Sequence, residues 1–124
     1  MRVIEFAPPL CGFEGFFNTF RLGAFYLDRL KIGETVALYD NKAKLIFGHA
    51  VVESVYAGKL SEMLVAHAAL NHTQLSNLGL VEPPEALKTV IKKLYGPHIA
   101  TDSKRTTVIY LRRLNDQRKV DGVE

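Results

Sequence analysis

Hydrophobic and polar residues alternate over several short segments of the chain, a pattern typical of β-strands with one buried face. Together with their β-branched and aromatic residues, these segments predict strands near residues 2–6, 18–21, 35–39, 45–56 and 106–112. Turn-forming residues at 40–42 separate the third strand from the fourth, so we expect these two to form a hairpin. Gly48 within the fourth strand predicts a bulge or a bend.

Three other segments carry apolar residues at helical spacing. One helix is predicted near 61–71 with Ser61 as its candidate N-cap, and a second near 85–95, where the apolar residues form one stripe ahead of a Gly-Pro stop. A shorter helix of two turns is predicted over 22–30. The segment 72–84 between the main helices is polar and ends in prolines, which predicts a loop.

The order of these elements mixes strands and helices without a regular βαβ alternation. It predicts an α+β fold, in which a mostly antiparallel sheet curls around one core as a small, partly open β-barrel and two main helices pack against it. A chain of 124 residues has room for one domain, which we place at 1–114. The segment 115–124 has little to bury and is predicted to be a flexible tail.

The composition is that of a folded globular protein. Apolar residues make up 48% and charged residues 23% of the chain, which argues against a disordered or coiled-coil protein. No apolar run is long enough to span a membrane and the first residues do not resemble a signal peptide, so we expect a cytoplasmic protein without a membrane partner. The single cysteine, Cys11, excludes an intrachain disulfide and a zinc site built on several thiolates.

An unusual concentration of aromatic residues lies between residues 10 and 26, which hold five of the seven phenylalanines. Glycines interrupt the helical spacing here, and the end of the segment fits an extended strand as well as a helix; we favour a loop that leads into a short strand. Of Phe13, Phe16, Phe17 and Phe20 we expect at least three to be buried. At most one, Phe16 or Phe17, is expected to stack on a ligand.

Two short segments resemble a known family. The run Thr19-Phe20-Arg21-Leu22-Gly23, followed by Arg29-Leu30-Lys31-Ile32-Gly33-Glu34-Thr35-Val36, is similar to the ASCH domain family, small barrels of the PUA-like superfamily that are associated with RNA. The resemblance covers about residues 14–114 and extends to the order of the later elements. It implies a PUA-like fold and a ligand cleft between the barrel and the helices.

The resemblance also raises the possibility of catalysis. One subgroup of the family looks like amidohydrolases that remove an acetyl group from the exocyclic amine of cytidine, and alignment on Arg21 places the nucleophile of that subgroup at Thr19. The lysine of the motif falls on Phe16, and the catalytic carboxylate falls near Asn71. A threonine hydroxyl requires a base or a neighbouring charge to act as a nucleophile, and only His72 is at hand to replace the carboxylate.

The candidate site is therefore a cleft with Asn18, Thr19 and Arg21 on one side and Asn71 and His72 on the other. The amide of Asn71 could recognise a base edge, Arg21 a phosphate or a carbonyl, and Thr19 could orient the ligand. The alternatives are structural. Arg21 could form a salt bridge with Asp28 or Glu34, Asn71 could cap the first helix, and His72 could face solvent.

Basic residues outside the cleft fit a polyanionic partner. The chain has a formal net charge of +3, and we include Arg29 and Lys31 among the candidate RNA-binding residues. The lysines at 88, 92 and 93 form either a nucleic-acid face or simply the solvated side of the second helix. The sequence has no metal-ligand set and no phosphate-binding or dinucleotide-binding loop, so we expect neither a metal nor a cofactor.

The sequence thus favours a module that binds RNA or a modified nucleoside, without catalysis. Two alternatives stay open at this point: an amidohydrolase acting on acetylated cytidine with Thr19 as nucleophile, and a small adaptor that binds another protein.

Overall fold

The computed structural model describes residues 1–7, 10–73 and 82–114. The elements, in chain order, are β1 (Arg2–Phe6), β2 (Phe16–Leu22), β3 (Thr35–Asp40), β4 (Leu45–Lys59), α1 (Leu60–His67), a single 3₁₀ turn (Ala68–Leu70), α2 (Pro83–Tyr95) and β5 (Arg105–Arg113). Every predicted strand and both main helices are present. The predicted tail at 115–124 and most of the predicted loop at 72–84 lie outside the described residues.

The five strands form one open sheet in the order β1-β3-β4-β5-β2. Strand β1 pairs with β3 in parallel, and the other neighbouring pairs are antiparallel. An α+β fold with a mostly antiparallel sheet and two packed helices is therefore confirmed, and the sheet is open rather than closed into a barrel. Strands β1 and β2, which are far apart in the strand order, form its two edges.

The hairpin of β3 and β4 is confirmed, and its turn has an identifiable cause. The carboxylate of Asp40 accepts hydrogen bonds from the backbone N–H groups of Lys42 and Ala43, at 2.9 and 3.1 Å, so one side chain closes the turn. Leu38 lies opposite Gly48 and Tyr39 opposite Ile46, which makes Phe47 the extra residue of a bulge. The bulge thus lies one residue away from the predicted Gly48.

Two local predictions are wrong. Residues 23–29 form bends and turns instead of the predicted helix over 22–30. Strand β2 continues through Leu22, and the few local backbone hydrogen bonds after it form turns, such as Leu27 N–H to Ala24 C=O at 3.1 Å. Ser61 is not the N-cap of α1. The helix begins at Leu60, and carbonyls of a distant loop, at Lys104 and Asp102, accept hydrogen bonds from its first N–H groups.

Apolar side chains form two clusters, one on each face of the sheet. The first contains Phe13 and Phe17, and the second, which contains Phe20, packs the sheet against α1 and α2. Because side chains alternate along a strand, Phe17 and Phe20 of β2 enter different clusters. Phe16 is exposed and the other three are buried, so the expectation that at least three of the four phenylalanines are buried is confirmed.

Among the described residues, no helix is both long enough and apolar enough to cross a membrane.

Candidate functional site

A cavity of about 590 Å³ opens where the two edge strands face α2. Strand β1 contributes Glu5 and Phe6, and strand β2 contributes Thr19 and Arg21. The segment that follows the 3₁₀ turn also lines the cavity, with Asn71, His72 and Thr73. Helix α2 forms an apolar wall, which ends in the phenol of Tyr95: Leu87, Val90, Ile91, Leu94 and Tyr95. The predicted cleft between the sheet and the helices is thus present as a cavity, with polar groups concentrated on the side of the edge strands.

Thr19 and Arg21 form the polar centre of this cavity. Alternation along β2 places both side chains on one face of the strand, and Arg21 Nε donates a hydrogen bond to Thr19 Oγ1 at 3.2 Å. The Arg21 guanidinium carbon lies 4.6 Å from the centre of the Phe6 ring and 5.8 Å from that of Tyr26. Arg21 therefore spans from its own edge strand to the opposite one, where Phe6 lies.

The Arg21 guanidinium forms no salt bridge with the acidic side chains that the structure describes. Within the part of the chain that the structure describes, no carboxylate lies at ion-pairing distance, and Glu34, which the sequence offered as a partner, instead pairs with Arg2 at 3.4 Å. Burial lowers the pKa of the Arg21 guanidinium, while Tyr26, Tyr95 and Glu5 act in the opposite direction. An arginine stays protonated at neutral pH even so, and the cavity wall carries the positive charge of Arg21 with the Glu5 side chain in the same wall.

Asn71 lines the cavity, yet its amide is already engaged. Its Oδ1 accepts hydrogen bonds from the backbone N–H and the hydroxyl of Thr73, at 3.0 and 2.7 Å. Its Nδ2 donates to the backbone carbonyl and to Oδ1 of Asn18, both at 3.3 Å. Asn71 is only 2% exposed and ends the 3₁₀ turn, so its contacts favour the structural alternative over recognition of a base edge.

Asn18 does not line the cavity. It lies between Phe17 and Thr19 on the strand, so its side chain points to the other face of β2, where Nδ2 donates to the His67 carbonyl at 2.8 Å. Its backbone carbonyl accepts from the His72 N–H at 3.2 Å. Asn18 therefore ties the end of α1 to the edge strand and holds the residues that do line the cavity.

His72 is a wall residue with a largely buried ring. Its imidazole stacks on Phe13, with ring centroids 4.4 Å apart, and meets the ring of Phe6 edge-on at 5.4 Å. Burial, assisted by the positive charge of Arg21, lowers the pKa of His72 to about 4. A hydrogen bond with the Cys11 backbone acts on the pKa in the opposite direction. The imidazole is therefore neutral at pH 7, and the ring packs in the wall instead of facing solvent.

The remaining predicted binding residues lie outside the cavity. Arg29 donates from Nη1 to the carbonyl of Phe25 at 2.7 Å and covers that residue's ring, and Lys31 lies exposed in the turn before β3. Neither lines the cavity. In α2, Lys88 forms an ion pair with Asp102 at 3.1 Å, which joins the helix to the loop that caps α1.

Several cavity residues were absent from the sequence-based prediction. Glu5 and Phe6 belong to the first strand, and the apolar wall of α2 was predicted only as a helix stripe that packs into the core. The alternation in β1 predicted a strand but contained nothing about its neighbours. Only the parallel pairing of β1 with β3 makes β1 an edge and brings it into the cavity.

No group of three or more metal-ligating side chains occurs among residues 1–7, 10–73 and 82–114.

Comparison with known proteins places the fold but not the function. No protein-family model matches the chain, and no curated protein matches it significantly. Among solved structures, the hypothetical protein PH0355 superposes with a TM-score of 0.58 at 16% identity, over 92% of this chain and all 100% of that one. Protein EF3133 from Enterococcus faecalis V583, of family DUF984, superposes with a TM-score of 0.55 at 11% identity, over 90% of this chain and 68% of that one. This likeness shows the fold alone.

Proposed function

We propose that the cavity binds one nucleoside or nucleotide unit, either free or exposed in an RNA strand, and that the protein is an ASCH-like, PUA-like binding module. The sequence resemblance over residues 14–114 supports the family. The cavity volume of about 590 Å³ supports a ligand of this size, because small-molecule pockets typically span about 300–1,000 Å³.

The observation that carries the proposal is the charge of Arg21 in the cavity wall, which forms no ion pair within the described residues. Removing a cation from water without a counter-charge is costly, and a ligand that supplies a phosphate or a carbonyl oxygen offsets that cost. Only Nε of Arg21 is used within the described residues, so the two terminal nitrogens can form a paired contact with such a group.

The other cavity groups suit the rest of a nucleoside. The Thr19 hydroxyl accepts a hydrogen bond from Arg21, which leaves its own proton to donate to a ligand oxygen or nitrogen. Leu87, Val90 and Leu94 of α2 form an apolar surface against which a planar base can pack. A polar group at one side and an apolar wall at the other would fix the orientation of an amphipathic ligand.

Hydrolysis of acetylated cytidine is the alternative, and the geometry favours binding over it. The hydrogen-bond partner of Thr19 Oγ1 is the Arg21 guanidinium, which donates and cannot take a proton. Phe16, at the position of the family lysine, lies on the opposite face of β2, and the Asn71 amide is engaged. Glu5 and the neutral His72 are the cavity groups able to accept a proton, and neither has a hydrogen bond to Thr19 among the described residues.

Calorimetric titration of the purified protein with cytidine, N4-acetylcytidine, cytidine monophosphate and a short single-stranded RNA tests the proposal. We expect saturable binding of at least one of them, with a weaker affinity in Arg21→Ala and in Thr19→Val. Arg29→Ala removes the same charge outside the cavity and is the matched control, which should leave mononucleotide binding unchanged. Failure of all four ligands to bind would overturn the proposal and favour the adaptor.

The alternative is tested with the same reagents. Release of cytidine and acetate from N4-acetylcytidine, abolished by Thr19→Ala, would establish hydrolysis. Binding without turnover is the result expected here.

A further inference from the structure

Four aromatic rings adjoin one another beside the end of α1, outside the cavity. Phe16 comes from β2, Tyr56 from β4, Tyr110 from β5 and His67 from the last turn of α1. We name these four residues the aromatic platform. Phe16 lies on the face of β2 opposite to Thr19 and Arg21, and none of the four residues lines the cavity.

The platform is built around the buried ring of Tyr110. The Tyr110 hydroxyl and His67 Nδ1 are 2.7 Å apart and share a hydrogen bond, whose direction depends on the tautomer of the imidazole. Phe16 stacks on Tyr110 with centroids 5.3 Å apart, and Tyr56 stacks on His67 at 4.8 Å. Each outer ring thus rests on an inner one, which holds its orientation.

The two outer rings are open to solvent. Phe16 is 40% exposed and Tyr56 is 45% exposed, although both belong to a well-paired sheet. Their centroids lie 5.3 and 5.7 Å from that of Tyr110, so a single extended ligand can reach both rings. Exposed rings held by stacking offer flat apolar surfaces of the kind on which unpaired bases stack.

An arginine at the edge of the platform offers hydrogen-bond donors to a ligand that lies on it. The Arg112 guanidinium carbon lies 5.7 Å from the centre of the Phe16 ring, and an ion pair of Nε with Glu53 at 2.7 Å holds the group in place. Its terminal nitrogens have no partner among the described residues and can contact a phosphate. The chain carries a net charge of +3, which adds a general attraction to a polyanion.

We propose that the aromatic platform binds single-stranded RNA, with unpaired bases stacked on Phe16 and Tyr56 and the backbone near Arg112. This site is separate from the cavity, so it stands whether or not the cavity holds a nucleoside.

Fluorescence anisotropy with labelled ten-nucleotide oligouridylate at low salt tests the platform. Phe16→Leu and Tyr56→Leu keep an apolar side chain but remove the ring, and each should weaken binding by about fivefold or more. Phe16→Tyr and Tyr56→Phe keep the ring and should retain the affinity of the wild type. Phe25→Leu removes another exposed phenylalanine, whose ring contacts Tyr26 and none of the four platform rings within the described residues, and it should leave the affinity unchanged.

Three further comparisons separate RNA binding at the platform from binding elsewhere on the protein. An RNA duplex, whose bases are already stacked inside the helix, should be insensitive to the ring substitutions. Arg21→Ala tests the cavity, and the losses at Phe16 and Tyr56 should persist in its presence. Melting temperatures of all variants show that they are folded. If the folded double variant Phe16→Leu/Tyr56→Leu binds oligouridylate as the wild type does, or if the wild type does not bind it, the platform is not an RNA site.

Discussion

The side-chain amide of Asn71 donates to both the backbone carbonyl and Oδ1 of Asn18, at 3.3 Å in each case. This contact joins the 3₁₀ turn after α1 to the edge strand β2, which lies more than fifty positions earlier in the chain. Both residues are almost fully buried. The pair therefore holds the cavity wall together, while Thr19 and Arg21, on the other face of the strand, are left free to contact a ligand.

Replacing Asn71 with alanine should destabilise the protein. The change removes four hydrogen bonds, two of which serve the buried Asn18, and we expect it to cost about 2–4 kcal/mol. Urea denaturation measures the effect. Asn41→Ala is the control, because Asn41 also lines the cavity but its side chain has no hydrogen bond within the described residues. A loss of ligand affinity at unchanged stability in Asn71→Ala would instead assign the amide to recognition.

Two arginines should respond to the same substitution in opposite ways. Arg21→Met removes a partly buried charge that has no ion pair within the described residues. Its free energy of unfolding should therefore stay within about 1 kcal/mol of the wild type or rise, while ligand affinity falls at least about tenfold. Arg113→Met removes donors that serve the carbonyls of Phe13 and Phe47, both at 3.1 Å, and should cost about 2–4 kcal/mol.

Chemical denaturation and ligand titration of both arginine variants provide the measurement. Equal destabilisation by the two changes would show that Arg21 is a structural residue, contrary to its assignment here.

The strands were predictable because their signal is local. The predicted segment 18–21 lies inside β2, and 35–39 lies inside β3, since alternation and β-propensity are properties of neighbouring residues. The edge position of β1 was not predictable, because it depends on parallel pairing with a strand about thirty residues away. The false helix over 22–30 arose because consecutive turns also bring residues three and four apart into contact.

The site was likewise predictable only where its signal is local to one strand. Alternation alone places Thr19 and Arg21 on one face of β2 and Asn18, which the sequence-based prediction groups with them, on the other. The engagement of the Asn71 amide was not predictable, since its partner lies on a strand that approaches only in the folded chain. Glu5 and the α2 wall escaped prediction for the same reason.

Gly12 should be intolerant of any side chain. Its φ of +74° lies in the left-handed region, and a Cβ at this position would overlap the carbonyl of His72. Gly12→Ala should therefore cost more than about 2 kcal/mol, because both backbone strain and the overlap must be relieved. Gly15→Ala is the matched control, since Gly15 also has a positive φ, +64°, but a Cβ there meets open space, and it should cost about 1 kcal/mol.

Denaturation curves of the two glycine variants, compared at the same pH, give the difference. Equal costs would mean that the close approach of Gly12 to His72 is relieved without penalty.

Stability should decrease in mildly acidic solution because of His72. Burial lowers the pKa of this imidazole to about 4 in the folded protein, against about 6.5 in an unfolded chain, so the unfolded state binds more protons between these values. The contribution of the neutral ring is complete above about pH 6.5 and is lost progressively as the pH falls towards 4, up to about 3 kcal/mol.

His72→Phe keeps the stacking on Phe13 but cannot titrate. The free energy of unfolding of both proteins is measured by urea denaturation from pH 7 to pH 4.5. The wild type should lose stability relative to His72→Phe steadily as the pH falls. A difference that is constant across this range would show that His72 titrates alike in the folded and unfolded chains, and that its ring is not buried in the cavity wall.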